Sequence, residues 1–393
     1  MSGSKQITRK NAFRKFRRNL LGGTALVAVV AVGVSFGVGQ YGKVQAADIS
    51  ADLEAAGADA GNNSVDTFVI DATNDGEPTS SALTFGTGVS GLTVSSNGLD
   101  ASDTADTGQI TSVTTTDDTG TNTLTLNDST NGDSLTLVIT GNIAGNVATD
   151  ANDLDTIINA TSTNDAGDST LDLNGNVTVG SGTFTLTSDA DDTSTLLFSG
   201  TAAQTSDAAV VITTDGLGKL SVTNPAGVTI NDIVGVAANG LESLSIASGA
   251  SLTQKAIAAA VTFDVVGNVD DGSGGTGGTL VLEGGDATAA VNGGAVTLAT
   301  ITGNTSLTTL TVQGGDAIEN DAGGAFTETA FVGTTAATTY NIIGGAGAID
   351  ADGSATGGAG GAVAEHLQTG ATTVTNLNIT GGAGGAGFAS DAS

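Results

Sequence analysis

Leu280-Val281-Leu282-Glu283-Gly284-Gly285 returns thirty residues later as Leu310-Thr311-Val312-Gln313-Gly314-Gly315, and after another thirty as Tyr340-Asn341-Ile342-Ile343-Gly344-Gly345. A fourth copy, Leu377-Asn378-Ile379-Thr380-Gly381-Gly382, follows after thirty-seven. A second marker keeps step: Gly293-Gly294-Ala295-Val296, Gly323-Gly324-Ala325-Phe326 and Gly360-Gly361-Ala362-Val363. From each marker to the next strand motif the distance is seventeen residues, and the seven extra residues of the third unit fall around Ala348 to Ala355. Constant spacing with one localised insertion is the signature of stacked coils that carry a loop on one face.

Thirty residues suit one coil of a right-handed parallel β-helix, with three short strands and three turns. Coils stacked at about 4.8 Å place Leu280, Leu310, Tyr340 and Leu377 in one ladder. Because side chains alternate along a strand, Val281, Thr311, Asn341 and Asn378 then face outward, and Leu282, Val312, Ile342 and Ile379 face inward again. The Gly-Gly pairs are expected at the corners, where positive φ and close approach of neighbouring coils both select glycine.

Upstream, the strand signal persists without the period. Leu124–Leu126, Leu135–Ile139, Leu171–Leu173, Val177–Val179, Phe184–Leu186, Val210–Ile212, Leu220–Val222, Leu244–Ile246 and Phe263–Val266 are short runs rich in Thr or β-branched residues. Asn131-Gly132, Asn174-Gly175 and Asp271-Gly272 predict tight turns with positive φ. Pro78 and Pro225 are the only prolines, so little interrupts a ladder. Ser50–Ala56 and Lys255–Val261 alone look helical, and both are short. The chain divides into 1–47, a Thr/Asn/Asp-rich β region 48–271, and the Gly-rich repeats of 272–393, with Gly272–Gly278 as the divide. Irregular spacing leaves the middle region as a looser solenoid or a β-sandwich.

Residues 1–47 read as an export signal. Lys5, Arg9, Lys10, Arg14, Lys15, Arg17 and Arg18 precede the apolar stretch Leu20–Gly39, and Val44-Gln45-Ala46-Ala47 offers cleavage after Ala46 or Ala47. The rival is an uncleaved anchor, since about 20 apolar residues can span a bilayer; the glycine content and the small-residue exit favour cleavage. No second membrane segment follows. The last repeat lacks the polar cap that closes a solenoid, so a piece of a longer protein is expected.

Past the signal only Lys219 and Lys255 stand against 41 carboxylates, a balance of about −39. Such a surface repels nucleic acid and anionic lipid. Self-repulsion makes the assembly dependent on screening cations. No cofactor is implied outright; Ca²⁺ suits the clusters Asp117-Asp118, Asp189 with Asp191-Asp192, and Asp270-Asp271, although solvated turns account for any one of them. The chain has no Cys, which excludes disulfides, thiolate metal sites and a Cys nucleophile. It has no Trp, and Tyr41 and Tyr340 are its only tyrosines, so platforms for sugars or bases are scarce. His366 is the single histidine on which a Ser-His-Asp arrangement would depend. Gly344-Gly345-Ala346-Gly347-Ala348-Ile349-Asp350 approaches the calcium nonapeptide but sets Asp one residue late, and Gly218-Lys219-Leu220 is not a phosphate loop. Thr183 and Thr185 suggest an ice-binding ladder, but such pairs hold no fixed place in the thirty-residue unit.

With its long basic signal, its lack of Cys and its Gly-Gly units after Leu-x-Val/Ile strands, the chain resembles the passenger regions of autotransporter adhesins, including the rickettsial surface-antigen type. It is similar also to secreted surface-layer proteins. The first resemblance implies a β-solenoid passenger followed by an outer-membrane barrel, of which no strands are visible; the second implies an acidic, cation-dependent lattice. The expectation is an exported, non-enzymatic bacterial cell-surface protein that associates with itself or with other surface components, without a membrane span once the signal is removed. A β-helix polysaccharide lyase or hydrolase, which two lysines serve poorly, and a soluble Ca²⁺-binding matrix protein are the alternatives.

Overall fold

The computed structural model describes residues 65–70, 82–85, 90–96, 105–115, 122–127, 134–145, 154–160, 167–180, 182–231, 234–235, 239–255, 261–287, 296–318, 321–324, 329–348, 358–363 and 367–385. The signal with Ala46 and Ala47, the segment Ser50–Ala56, Asp117-Asp118, Asn131-Gly132 and His366 lie outside them. The described residues are all strand and connection, with no helix.

The chain is a parallel β-helix. Its strands form an 18-stranded sheet and sheets of six and four strands, and every ladder between named strands is parallel. Successive coils visit three faces in order. The first face runs from Val65–Ile70 through Asn122–Asn127 and Ala209–Ile212 to Leu367–Gln368, and Val234 bridges its six-stranded and four-stranded parts by pairing with Val210 and Phe263. The second and third faces make up the 18-stranded sheet. In the later coils they merge, because Thr305–Gln313, Thr335–Ile343 and Thr372–Thr380 each run as one nine-residue strand around the corner between them. The expected three short strands per coil are therefore two strands and a glycine-rich connection in this part of the molecule.

Register is strict. On the third face one inward column passes through Leu83, Val113, Ile143, Val177, Ser206, Ile230, Gln254, Leu282, Val312, Ile342 and Ile379. Eleven rungs at about 4.8 Å make a stack roughly 50 Å tall. The expected ladder Leu280, Leu310, Tyr340 and Leu377 is present beside it. Its first three members are buried, whereas Leu377 and Ile379 on the last described rung are 54% and 61% exposed. Strands such as Asn122–Asn127, Ser134–Ile139 and Thr183–Ser188 bury alternate residues, which lets Thr and Leu alternate without conflict. Every buried Leu, Ile or Phe contributes about 1.5–3 kcal/mol, and the column form repeats that gain at each turn of the chain. Phe331 and Tyr340 meet edge to face across the interior, 6.2 Å between ring centroids.

The region before Gly272 is the same solenoid with coils of uneven length, not a sandwich. Thr195, Lys219 and Ser243 stack in register at intervals of twenty-four residues, and Gln204, Val228 and Leu252 do likewise. Ladders cross the Gly272–Gly278 stretch without a break, since Ser251–Lys255 pairs with Thr279–Glu283 and Val269 pairs with Thr305. Of the segment expected to be helical, Lys255 ends a strand and Val261 begins another, and residues 256–260 lie outside the described part.

Candidate functional site

The Gly-Gly pairs are placed together, and of the two reasons expected for them close approach holds while positive φ does not. Gly284, Gly285, Gly314, Gly315, Gly344, Gly345, Gly381 and Gly382 stack coil upon coil, and none adopts positive φ. Left-handed glycines occur instead at Gly180, Gly216, Gly218, Gly227, Gly235, Gly249, Gly272 and Gly274. What selects glycine in the pairs is crowding. A Cβ on Gly345 would lie 2.0 Å from the Gly315 carbonyl oxygen, and one on Gly382 would lie 1.9 Å from that of Gly345. The outgoing pair of one coil and the returning marker interleave: Gly324 N–H donates to Gly315 O, Gly345 to Gly324, Gly361 to Gly345 and Gly382 to Gly361, at 2.8–2.9 Å. Outgoing segments also bond directly to one another, as in Gly344 N–H to Thr380 O at 2.9 Å and Gly347 N–H to Ala383 O at 2.8 Å. Only chains without side chains pack this closely, the restriction that selects glycine on the collagen axis.

A third marker, not noticed in the sequence, follows the same rule. Gly267, Gly303, Gly333 and Gly370 stack at the corner between the first and second faces, with a Cβ on Gly303, Gly333 or Gly370 meeting the carbonyl below at 1.9–2.2 Å. Beside them Asn268 Oδ1 accepts from Asn304 N, and Asn304 Oδ1 accepts from Thr334 N, both at 3.0 Å. Gly175 is corrected likewise: its φ is not positive, and a Cβ there would lie 2.1 Å from Gly141 O. Gly272 does have positive φ, at 85°.

The acidic clusters build turns. Asp189 Oδ1 accepts from Asp191 N at 3.0 Å, and buried Asp192 accepts from Gly167 N at 2.7 Å. Asp270 accepts from Gly272 N, and Asp271 Oδ1 takes Ser273 N, Ser273 Oγ and Gly275 N at 2.8 Å, bonds that hold the Asp271 carboxyl below the usual range. Among the described residues no group of three or more His, Cys, Asp or Glu side chains is arranged to hold a metal ion. Both lysines among the described residues are paired. Lys219 Nζ lies 3.2 Å from Glu242, and Lys255 Nζ bridges Glu283 at 2.8 Å and Asp286 at 2.9 Å. Partial burial pulls the Lys255 ammonium down, but its bonds to Glu283 and Asp286 outweigh this and hold it above its ordinary value. Burial also lifts Asp172, against the pull of Ser199 Oγ, which donates to it.

One carboxyl stands apart. Asp264 points outward from the first face yet is only 8% exposed, and desolvation, with the nearby charge of Asp215, pushes its pKa from 3.8 to about 6. The charge beside it is another carboxylate, that of Asp215, which is a poor beginning for acid–base catalysis. An open groove on the second face, between Glu242, Ser245, Asn268 and Asp270, is shallow and polar. Thr183 and Thr185 lie outward on one strand with their hydroxyls 3.3 Å apart. No helix among the described residues is long and apolar enough to cross a membrane. Comparison of the chain with models of known families, with curated proteins and with solved structures finds no match.

Proposed function

We propose that this chain is an exported, non-enzymatic structural protein of a bacterial cell surface, either a surface-layer subunit or an adhesin-like passenger. The observation that carries the reading is the uninterrupted in-register stack over eleven rungs, which makes a stiff object, on a chain that past residue 47 sets two lysines against 41 carboxylates. Backbone ladders and inward columns supply the stiffness, and the outward residues and corner loops are left to meet partners. The lyase or hydrolase alternative is weakened by the pairing of Lys219 and Lys255, since a β-helix lyase needs a free cation near its carboxylates. Surface exposure is tested by digesting intact cells with an external protease and sequencing the N-terminus of the released chain. The expected start is Ala47 or Asp48. A chain found in the cytosol with Met1–Ala46 still attached would overturn the reading. Electron microscopy of surface fragments then separates a lattice from isolated rods.

A further inference from the structure

Asp264 lies on the first-face strand Val261–Val265, close to the corner that Gly267 marks, and three successive coils meet around it. Gly240, from the coil before, lies over its carboxylate: a Cβ there would stand 3.0 Å from both Cγ and Oδ1 of Asp264. One coil further back, Asp215 Oδ1 accepts from Gly240 N at 2.9 Å, and Gly216 N–H donates to Gly240 O at 3.0 Å. A single glycine therefore stands between two carboxylates from positions 215 and 264, and their charges repel.

The surroundings give Asp264 no compensation. Its neighbour on the coil below is Gly235, which has no side chain, and on the coil above it pairs in register with Thr300. Among the described residues no hydrogen bond reaches its carboxylate, although the residue is only 8% exposed. Lys219 and Lys255, the only cationic side chains among the described residues, are held elsewhere by Glu242, Glu283 and Asp286. Burying a carboxylate without a donor is costly, and a second carboxylate beside it adds to the cost. The other acidic clusters differ, because turn N–H groups take up the carboxylates of Asp189, Asp192, Asp270 and Asp271.

We infer that Asp215 and Asp264 together bind one Ca²⁺ ion across these coils. The donor atoms are all oxygen, which suits a hard cation and not the metals that seek thiolate or imidazole. Asp264 brings a carboxylate with no hydrogen bond to give up. Asp215 brings its second oxygen, which no hydrogen bond holds among the described residues. Water fills the rest of the shell. Two carboxylates place the affinity at the weak end, with a Kd of about 0.1–1 mM. The ion ties the coils of Asp215, Gly240 and Asp264 to one another. This site is independent of the surface role proposed above, so the failure of either leaves the other standing.

Calorimetric titration of Ca²⁺ into the chelator-treated full chain, near neutral pH and at physiological salt, reads the site. Exposed acids also attract Ca²⁺ weakly, so the comparison is between variants. Asp264→Asn and Asp215→Asn are each expected to weaken the site roughly tenfold or more. Asp215→Asn keeps an oxygen for Gly240 N–H, which separates loss of charge from loss of that bond. Asp191→Asn removes the same charge from an exposed turn and is expected to change the affinity less than about twofold. Equal effects of the three variants, or no uptake by the natural chain in this range, overturn the inference. Melting gives a second reading. In chelator at about pH 8 the buried charge is uncompensated, and Asp264→Asn is expected to melt above the natural chain. Saturating Ca²⁺ is expected to close or reverse that difference, since only the natural chain gains the ion. A difference that Ca²⁺ leaves unchanged overturns the inference and leaves Asp264 as a buried carboxyl without a cation.

Discussion

Replacing Gly344 and Gly381 by Ala, one at a time, tests whether the Gly-Gly pairs serve backbone crowding or turn conformation. The two glycines occupy the same column on successive coils, and neither has positive φ. A Cβ on Gly344 would lie 2.1 Å from Gly361 O and 2.7 Å from Gly382 N, whereas one on Gly381 meets nothing within 4 Å. Relieving the first contact requires the outgoing and returning segments to part by about 1 Å, which breaks the Gly361-to-Gly345 and Gly382-to-Gly361 bonds of 2.8 and 2.9 Å. Two hydrogen bonds at about 1 kcal/mol each, with buried groups left unpaired at about 1–3 kcal/mol, put the cost near 3–5 kcal/mol. At Gly381 only the unfolded chain loses freedom, so Ala is expected to stabilise by up to about 1 kcal/mol. Stacked coils need not unfold in one step, so a single melting midpoint is a poor measure. Hydrogen exchange at the amides of Gly345, Gly361 and Gly382 reports the local opening. Gly344→Ala should speed it by roughly a hundredfold or more, and Gly381→Ala should not. Equal responses at the two sites would refute the crowding argument.

Within the column Leu310 and Leu377, Leu310→Ala is expected to cost about 2–5 kcal/mol and Leu377→Ala under about 1 kcal/mol, because the first is fully buried and the second 54% exposed; denaturant titration of both variants measures the contrast. Asp264 makes stability depend on pH. Below about pH 4 the carboxyl is protonated folded and unfolded and costs nothing; stability then falls as pH rises towards the folded pKa of about 6, and the full penalty stands above it. Asp264→Asn is therefore expected to stabilise by about 1–3 kcal/mol at pH 8 and to do little at pH 4, as judged by melting at both values. Lys255→Met removes the bridge to Glu283 and Asp286 and is expected to cost about 1 kcal/mol at low salt and less at 1 M salt.

The repeat of the last third was legible because three independent signals, the apolar alternation, the Gly-Gly pair and the constant offset between markers, agree at one spacing. Leu280, Leu310, Tyr340 and Leu377 stack as that spacing requires. The middle region was not legible as a solenoid because its coils vary. Consecutive intervals on the second face are thirty-four residues from Leu135 to Ser169, then twenty-five from Ser169 to Ser194 and twenty-four from Thr195 to Lys219. Its columns also admit polar residues at inward positions. Gln204 is a case: its amide donates to Leu173 O and Gly175 O and accepts from Gly200 N and Asn224 Nδ2, so a buried amide stands where a pattern reader looks for an aliphatic. Glycine is ambiguous in a different way. The same letter at 272 supplies a left-handed turn and at 345 supplies room for a neighbouring carbonyl, and only the stacked backbone distinguishes them.

The same register separates stability from variation. Between the strands Thr335–Ile343 and Thr372–Thr380 the chain takes seven residues more than between the preceding pair, yet Thr335 still pairs with Thr372 and Ile343 with Thr380. The glycine layer resumes its bonding on the far side, where Gly358 N–H donates to Ala348 O at 2.8 Å. Loop length enters the free energy only logarithmically, so lengthening this connection costs a fraction of a kcal/mol, against several for one misplaced Cβ in the layer below it. A structure built in this way tolerates change at the connections and resists it at the glycines and inward columns. Surface specificity is therefore expected to reside in the connections, while the outward columns, fixed by register, keep the same geometry from coil to coil. Inserting five Gly/Ser residues between Ala348 and Gly358 should leave exchange at the Gly361 and Gly382 amides within a few-fold of the natural chain. Loss of protection there would mean that the layer depends on the connection, and that the stack does not hold its register by itself.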